Sequence, residues 1–182
     1  MLKIAIIGLG RFGTALVHGL SRSRVEILAM DRSGALVEAV KDYVAVAVRL
    51  DSTDEDALQS QNISEMDACV VSIGENFEAA LLTAVILKKL GVQRLICRAQ
   101  TAMHAEIFRR IGADEIIQPE TQAGEDLARV AHEEGEQLER LHDAVGHGVA
   151  RGDAAEHVDE HALHLRVGQD QLEPVGHDLG TG

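Results

Sequence analysis

The sequence lacks the features that mark membrane, secreted and disulfide-bonded proteins. No apolar run approaches the roughly 20 residues that a membrane-spanning helix needs, and Gly8, Gly10 and Arg11 interrupt the apolar N-terminus before a signal-peptide core can form. The 182 residues include only two cysteines, Cys69 and Cys97, which lie in separate strand-like segments. We therefore expect two buried thiols in a reduced, cytosolic protein and no disulfide.

Positive charge is also scarce. A net charge of -13 disfavours nucleic acid as a partner, because duplex binding depends on Lys and Arg side chains that neutralise phosphates. The excess is uneven: residues 133–182 hold 12 acids and 3 arginines (net -9), whereas residues 1–132 hold 18 acids and 14 basic residues (net -4). Every aromatic residue, methionine and lysine lies before position 109. We therefore predict a packed domain over residues 1–132, followed by the end of a helix and an acidic Gly/His-rich tail over 133–182.

Strand-like and helix-like segments alternate through residues 1–132. The apolar runs typical of buried parallel strands are LKIAII, VEILAM, YVAVAVRL, DACVVSI, RLICRA and DEIIQ. Ser33 is a candidate helix cap, Thr53 and Asp56 form a candidate capping pair, and Gly91 is placed to end the helix from Asn76 to Leu90. The alternation predicts an α/β fold: a Rossmann-like, doubly wound parallel sheet with strand order 3-2-1-4-5-6.

A glycine-rich loop, GLGRFG at 8–13, directly follows the first strand and opens a helix. Gly8 allows a tight turn, Gly10 allows a pyrophosphate to approach the backbone, and Gly13 allows close packing of helix on strand. The loop also contains Leu9, Arg11 and Phe12. Free N–H groups at the start of the helix would face the phosphates. The alternative is a glycine turn that packs without a ligand.

Two acidic residues follow the next two strands. Asp31 lies 18 residues beyond Gly13 and could accept hydrogen bonds from ribose hydroxyls, which favours NAD(H) or another adenosine nucleotide with free hydroxyls over NADP. Alternatively, Asp31 caps the helix at Ser33, while Arg32 could stack on adenine or meet a phosphate. Asp51 fits the adenine end of the crevice and a local helix start about equally well.

Later strand ends supply further candidates. The segment SIGEN places Ile73, Gly74 and Asn76 at the carboxyl end of strand four, where ligands bind in open α/β sheets. Arg98, at the end of strand five, could reach a phosphate or could be a surface arginine paired with an acid.

No arrangement of residues indicates catalysis. Tyr43 is the only tyrosine and has Ala47, not lysine, four residues further on, and His18 and His104 lie on predicted helices where a packing role is more common. The sequence therefore predicts a nucleotide site in a protein that is not an enzyme. The alternative is an NAD-dependent oxidoreductase domain that lacks its substrate domain.

Beyond these separate features, the chain resembles a known family over roughly residues 1–130. The motifs are GLGRFG at 8–13, AMD at 29–31, LDSTDEDAL at 50–58, SIGENFEAALLTAVILKKLGV at 72–92, RLICRAQ at 94–100 and HAEIFRRIGADEIIQPE at 104–120. Together they resemble the N-terminal nucleotide-binding domain of the Trk/Ktr potassium-uptake regulatory subunits, the RCK (regulator of potassium conductance) family. The run IGADEIIQPE is more diagnostic than the glycine loop, because generic Rossmann domains do not share it.

The resemblance implies a cytoplasmic regulatory subunit, held at the inner face of the cell membrane by a potassium-translocating partner that it gates. It implies that ATP, ADP or NAD(H) binds to the glycine loop, Asp31, Asp51 with Ser52, and Arg98. It also implies a divalent cation such as Mg²⁺ near Glu120, and homodimers that assemble into rings. The aliphatic helix at 77–90 would be buried either in such an interface or in the domain's own core.

The sequence departs from the family at its C-terminal end. The helix predicted at 120–141 fits, but no second ligand-sensing domain is recognisable after it. His157, His161 and His164 could share a helix face as metal ligands, or could belong to a solvated acidic tail. A change of reading frame is a further hypothesis for this segment.

Overall fold

The computed structural model describes residues 1–150, with side chains for residues 1–140. Six strands form one parallel sheet: β1 (Leu2–Ile7), β2 (Val25–Asp31), β3 (Val46–Arg49), β4 (Ala68–Val71), β5 (Leu95–Arg98) and β6 (Glu115–Ile117). Their order in the sheet is β3-β2-β1-β4-β5-β6, which confirms the predicted Rossmann-like topology. The order reverses between β1 and β4, so a crevice opens above the carboxyl ends of these two strands.

Helices connect the strands and cover both faces of the sheet. They are α1 (Arg11–Leu20), α2 (Gly34–Val40), α3 (Glu55–Gln59), α4 (Phe77–Lys89), α5 (Ala102–Arg110) and α6 (Pro119–Ala150), with 3-10 turns at Lys41–Tyr43 and Ile63–Glu65. The helix predicted at 120–141 thus begins one residue earlier and continues nine residues further. Within the described residues, no helix is both long enough and apolar enough to span a membrane.

The core consists of two apolar clusters, one on each face of the sheet. Ile6, Ile27 and Ala29 pack with Val17 of α1 and Val40 of α2. Because strand side chains alternate between faces, the neighbours of these strand residues point the other way. On that second face, the buried side chains of β1, β2, β4 and β5 pack against α3, α4 and α5, and both free cysteines, Cys69 and Cys97, lie there. Burial raises the pKa of both thiols to about 12, so they behave as core residues.

The ends of the helices differ in part from expectation. Gly91 follows α4 with φ +78°, as predicted for a residue after a helix end. The capping pair of Thr53 and Asp56 is wrong: Asp54 caps α3, accepting hydrogen bonds from the N–H groups of Asp56 and Ala57. Ser33 occupies the capping position of α2, but its side chain makes no capping hydrogen bond.

The aliphatic helix α4 is buried on one side only. Ala80, Thr83, Ala84 and Leu87 are buried in the domain's own core. By contrast, Leu82 and Val85 are 47% and 46% exposed. Burial in the domain's own core therefore explains one face of α4, while the face with Leu82 and Val85 is left exposed.

Residues Met1–Glu133 form one compact unit, and a second unit begins at Glu134. Of the second unit, the structure describes the backbone of α6 as far as Ala150. The remainder of the tail, including His157, His161 and His164, lies outside the described residues. The domain boundary at residue 132 stays a prediction.

Phe108 on α5 provides a test of the packing on the α4–α5 face. Its side chain is fully buried, and its ring centroid lies 5.5 Å from that of Phe77. We expect Phe108→Ala to lower the free energy of unfolding by about 3–5 kcal/mol, because it removes apolar contacts and leaves a cavity. Met103→Ala, on the same helix at a side chain that is 68% exposed, should change it by less than about 0.5 kcal/mol. Urea unfolding measures both, and equal losses in the two variants would contradict this packing.

Candidate functional site

A large cavity lies at the carboxyl ends of the strands, above the point where the strand order reverses. Its volume is about 990 Å³, at the upper end of the range for small-molecule sites. Most of the predicted site residues line it: Gly8, Gly10, Arg11, Phe12, Asp31, Arg32, Asp51, Ser52, Ile73, Gly74, Asn76, Arg98 and Glu120. Leu9 and Gly13 are buried and do not line the cavity.

The glycine loop is shaped by contacts that exclude larger side chains. Gly8 has φ +97°, and a Cβ atom there would lie 2.9 Å from the backbone nitrogen of Ile73. A Cβ atom on Gly13 would overlap the carbonyl oxygen of Gly8 and lie 2.8 Å from Ser72 Oγ. These two glycines therefore allow the tight turn and the close packing of α1 that the sequence predicts.

Gly10 differs, because no atom lies within 4 Å of the position of a Cβ atom there. The residue occupies the capping position of α1 without a side chain that could accept hydrogen bonds from the first turn. That turn also contains no acidic residue. The N–H groups at the start of α1 are therefore available to an anionic ligand in the cavity.

Asp31 joins the loop to the end of β2. One carboxylate oxygen accepts the N–H of Leu9 at 2.7 Å, and the other accepts the N–H of Ser33 at 2.7 Å. Asp31 therefore also has a structural role, because its hydrogen bond to Ser33 fixes the backbone at the start of α2. Each carboxylate oxygen has a second lone pair, so the group can still accept hydrogen bonds from ribose hydroxyls.

The loop after β3 combines both alternatives for Asp51. Its Oδ1 accepts hydrogen bonds from the Thr53 hydroxyl at 2.7 Å and the Thr53 N–H at 2.9 Å, and these bonds hold the pKa of Asp51 below its ordinary value. Asp51 therefore shapes a local turn and also lines the cavity. The neighbouring Ser52 hydroxyl pairs with the buried hydroxyl of Thr83 on α4, at 2.8 Å.

The segment after β4 brings backbone and amide groups to the cavity. Asn76 caps α4 by accepting the N–H of Ala79 at 3.0 Å. Because that bond uses its oxygen, the amide NH₂ is the group that could meet a ligand. Gly74 lies against Arg98, and a Cβ atom there would force the guanidinium to shift.

Arg98 is paired with an acid, as the structural alternative suggested, but it is not a surface residue. Its side chain is 13% exposed, pairs with Glu120 and lies 5.6 Å from the centroid of the Phe12 ring. Its Nε atom is buried and has no hydrogen-bond partner. An arginine with spare donors, next to an open helix N-terminus, fits the phosphates of a nucleotide.

Glu120 lies in the first turn of α6 and is 65% exposed. Its own backbone N–H, and then Arg98 and Arg11, hold the pKa of this carboxyl below its ordinary value. Within residues 1–140, no three His, Cys, Asp or Glu side chains are grouped to hold a metal ion. The described residues of one protomer therefore do not by themselves make up a cation site at Glu120.

Sequence reasoning missed part of the cavity wall. Leu36 on α2 and Leu82 on α4 contribute exposed apolar side chains, while Glu75, Glu78 and Gln100 contribute polar ones. Glu78 and Leu82 are four residues apart and so lie on one face of α4, a spacing that the sequence alone shows.

The aromatic and histidine side chains considered for catalysis lie outside the cavity. Tyr43 belongs to a 3-10 turn instead of starting β3, and its ring meets that of His18 edge to face with centroids 4.4 Å apart. His104 stacks on Phe77 at 3.8 Å. Both histidines thus have packing roles.

Several proteins of known family are similar to this chain in sequence. The family model of the TrkA-N domain matches residues 4–119. The Ktr system potassium uptake protein C of Bacillus subtilis is 41% identical over 131 residues, which is 71% of this chain and 58% of that protein. The Ktr system potassium uptake protein A of the same organism is 36% identical over 132 residues, 72% of this chain and 60% of that protein. The chain thus spans less than two thirds of the length of these relatives.

Solved structures agree with the fold. The TrkA-N domain of the inner membrane protein ybaL from Escherichia coli superposes with a TM-score of 0.64 at 17% identity, covering 70% of this chain and 95% of that domain. GsuK bound to ADP and the GsuK channel bound to NAD each give a TM-score of 0.57 at 14% identity, covering 64% of this chain and 31% and 21% of theirs. With the match to residues 4–119 and the identity to the Ktr proteins, the chain belongs to the TrkA-N domain family.

Proposed function

We propose that this chain is a non-enzymatic regulatory subunit that binds an adenine nucleotide and gates a potassium channel or transporter. The observation that carries the proposal is that the glycine loop, Asp31 and Arg98 line one cavity in a TrkA-N domain. The matched relatives are named as potassium uptake proteins, which supports a transport role over oxidoreductase chemistry.

The positions of the side chains suggest how the nucleotide lies. Asp31 at the end of β2 receives the ribose hydroxyls, and the phosphates lie against the N-terminus of α1 and extend towards Arg98. The apolar side chains of Leu36 and Leu82 suit the base. ATP, ADP and NAD(H) all present this adenosine end, and GsuK structures with ADP and with NAD show that a related fold accepts either kind of ligand.

The proposal extends to the domain bounds and to the assembly. Residues 1–132 are the nucleotide-binding domain, and residues 133–182 continue α6 into the acidic segment. The protein acts as a homodimer, within a higher ring, at the cytoplasmic face of the membrane-bound partner. A divalent cation that reaches Glu120 would take its remaining ligands from the nucleotide or from a second protomer.

Gating requires unequal binding to two conformations. A ligand shifts a conformational equilibrium only by the difference between its affinities for the two states. Nucleotides that share the adenosine end but differ in phosphate charge are suited to this, because the shared end provides affinity and the variable end distinguishes the states.

Nucleotide binding is tested by calorimetry with ATP, ADP, NAD and NADH, each with Mg²⁺ and with excess EDTA. We expect saturable binding of at least one pair, with unequal affinity within the pair (ATP against ADP, or NADH against NAD), since the pairs differ in charge. GTP serves as the control for base selectivity. Absence of binding by all four ligands would remove the proposed function.

The ribose role of Asp31 is tested with paired ligands. We expect the wild-type protein to bind ADP about tenfold more tightly than 2′-deoxy-ADP, because a hydrogen bond to a charged group contributes about 1.5–3 kcal/mol. In Asp31→Asn the preference should fall below about twofold.

Comparing two ligands on the same variant separates recognition from stability, since Asp31 also holds the N–H groups of Leu9 and Ser33. Thermal unfolding without ligand checks that the variant folds. An undiminished preference for ADP would refute the ribose assignment.

Gating itself is tested in host cells from which the gene for this chain has been deleted. We expect the wild-type chain to restore rubidium uptake and Asp31→Asn, expressed to the same level, to restore less, because the nucleotide signal is lost. Lys41→Gln is a matched surface control, since Lys41 is exposed, pairs with the exposed Glu38 and does not line the cavity. Equal uptake by all three proteins would argue against nucleotide gating.

A further inference from the structure

The ion pair between Arg98 and Glu120 occupies the position where a phosphate would meet the protein. Both side chains line the cavity that also holds Gly10 and the N-terminus of α1. The Arg98 side chain is 13% exposed, and its guanidinium lies beside Gly74 and 5.6 Å from the centroid of the Phe12 ring. It therefore stays within reach of a ligand in the cavity.

The hydrogen bonding of Arg98 is incomplete in this arrangement. Of its five N–H donors, one is directed to Glu120, while the buried Nε has no acceptor. A buried donor without a partner costs free energy, and a planar guanidinium prefers two parallel hydrogen bonds to a carboxylate or phosphate. The pair with Glu120 is thus a poorer arrangement than a bidentate contact with phosphate oxygens.

Glu120 adds an unfavourable charge for any anionic ligand. The cavity is lined by three arginines and five carboxylates, so its charged side chains sum to -2. A phosphate beside Arg98 would meet the carboxylate of Glu120 at close range, and the two negative charges would repel each other. Glu120 is 65% exposed and can turn into solvent, whereas Arg98 is 13% exposed and cannot.

We propose that Glu120 competes with the phosphates of the bound nucleotide for Arg98, so that ligand binding breaks the Arg98–Glu120 pair and releases the first turn of α6. The inference rests on the proposed nucleotide binding and adds a regulatory step to it. When no divalent cation is present to hold it at the phosphates, Glu120 moves into solvent as Arg98 changes partner. Because Glu120 belongs to α6, the exchange converts the charge of the ligand into a change at the start of that helix.

The competition is tested by the affinities of ADP and adenosine, measured by calorimetry in excess EDTA so that no divalent cation contributes. We expect Glu120→Gln to bind ADP about three- to tenfold more tightly than the wild type, because the competitor is gone. Adenosine, which has no phosphate, should bind both proteins equally. Glu125→Gln, an exposed residue of the same helix that does not line the cavity, should leave the affinity for ADP unchanged.

Two further measurements separate a competitor from a general effect of charge. In an Arg98→Gln background, Glu120→Gln should change the ADP affinity by less than about twofold, since there is no guanidinium left to compete for. Amide hydrogen exchange over residues 120–123 should rise when ADP binds the wild type, and should already be high in Glu120→Gln without ligand.

The outcomes distinguish this inference from the function on which it rests. If the wild-type protein binds none of the nucleotides, the proposed function fails and the competition fails with it. If ADP binds and Glu120→Gln binds it no more tightly, or more weakly, only the competition is overturned. Tighter binding of adenosine as well as ADP would also overturn it, because Glu120 would then act on the whole site.

Discussion

The loop between β1 and α1 is held from both sides by hydrogen bonds to neighbouring strands, and the rest of the site depends on this attachment. On one side, the N–H of Gly8 donates to Met30 at 2.9 Å and the N–H of Leu9 donates to Asp31 at 2.7 Å. On the other side, the Ser72 hydroxyl donates to Ile7 at 3.0 Å. These bonds direct the N-terminus of α1 towards the crevice. Because the crevice lies where the strand order reverses, the strand order determines where the site is.

Features that repeat along the backbone could be predicted from the sequence. Buried parallel strands are apolar runs, and the glycine loop has a spacing set by backbone geometry, so the sheet order and the loop followed from local patterns. The position of Asp31 could also be predicted, because it is the last residue of β2 and the end of a strand fixes where that side chain lies. The positive φ angles at Gly8 and Gly91 agree with the roles that their positions suggested.

Features that depend on which side chains meet could not be predicted. Asp54 caps α3 in place of the Thr53–Asp56 pair, because several acidic residues in that segment can serve and only the path of the backbone selects one. The Ser52–Thr83 and Arg98–Glu120 contacts join residues 31 and 22 positions apart, so no local pattern encodes them. The length of α6 beyond residue 141 was missed because the sequence from there on is rich in Gly, His and acidic residues, and glycine disfavours a helix.

The charge of the whole chain gives little information about the charge of its ligand. The chain carries -13, and the charged side chains around the cavity also sum to a negative value, yet the cavity combines an open helix N-terminus with a nearly buried arginine. Backbone N–H groups are not counted in a formal charge, although they attract an anion at short range. The surrounding carboxylates oppose that attraction. Under the proposed function, a site built in this way would distinguish ligands by where their phosphates lie and by how many charges they carry.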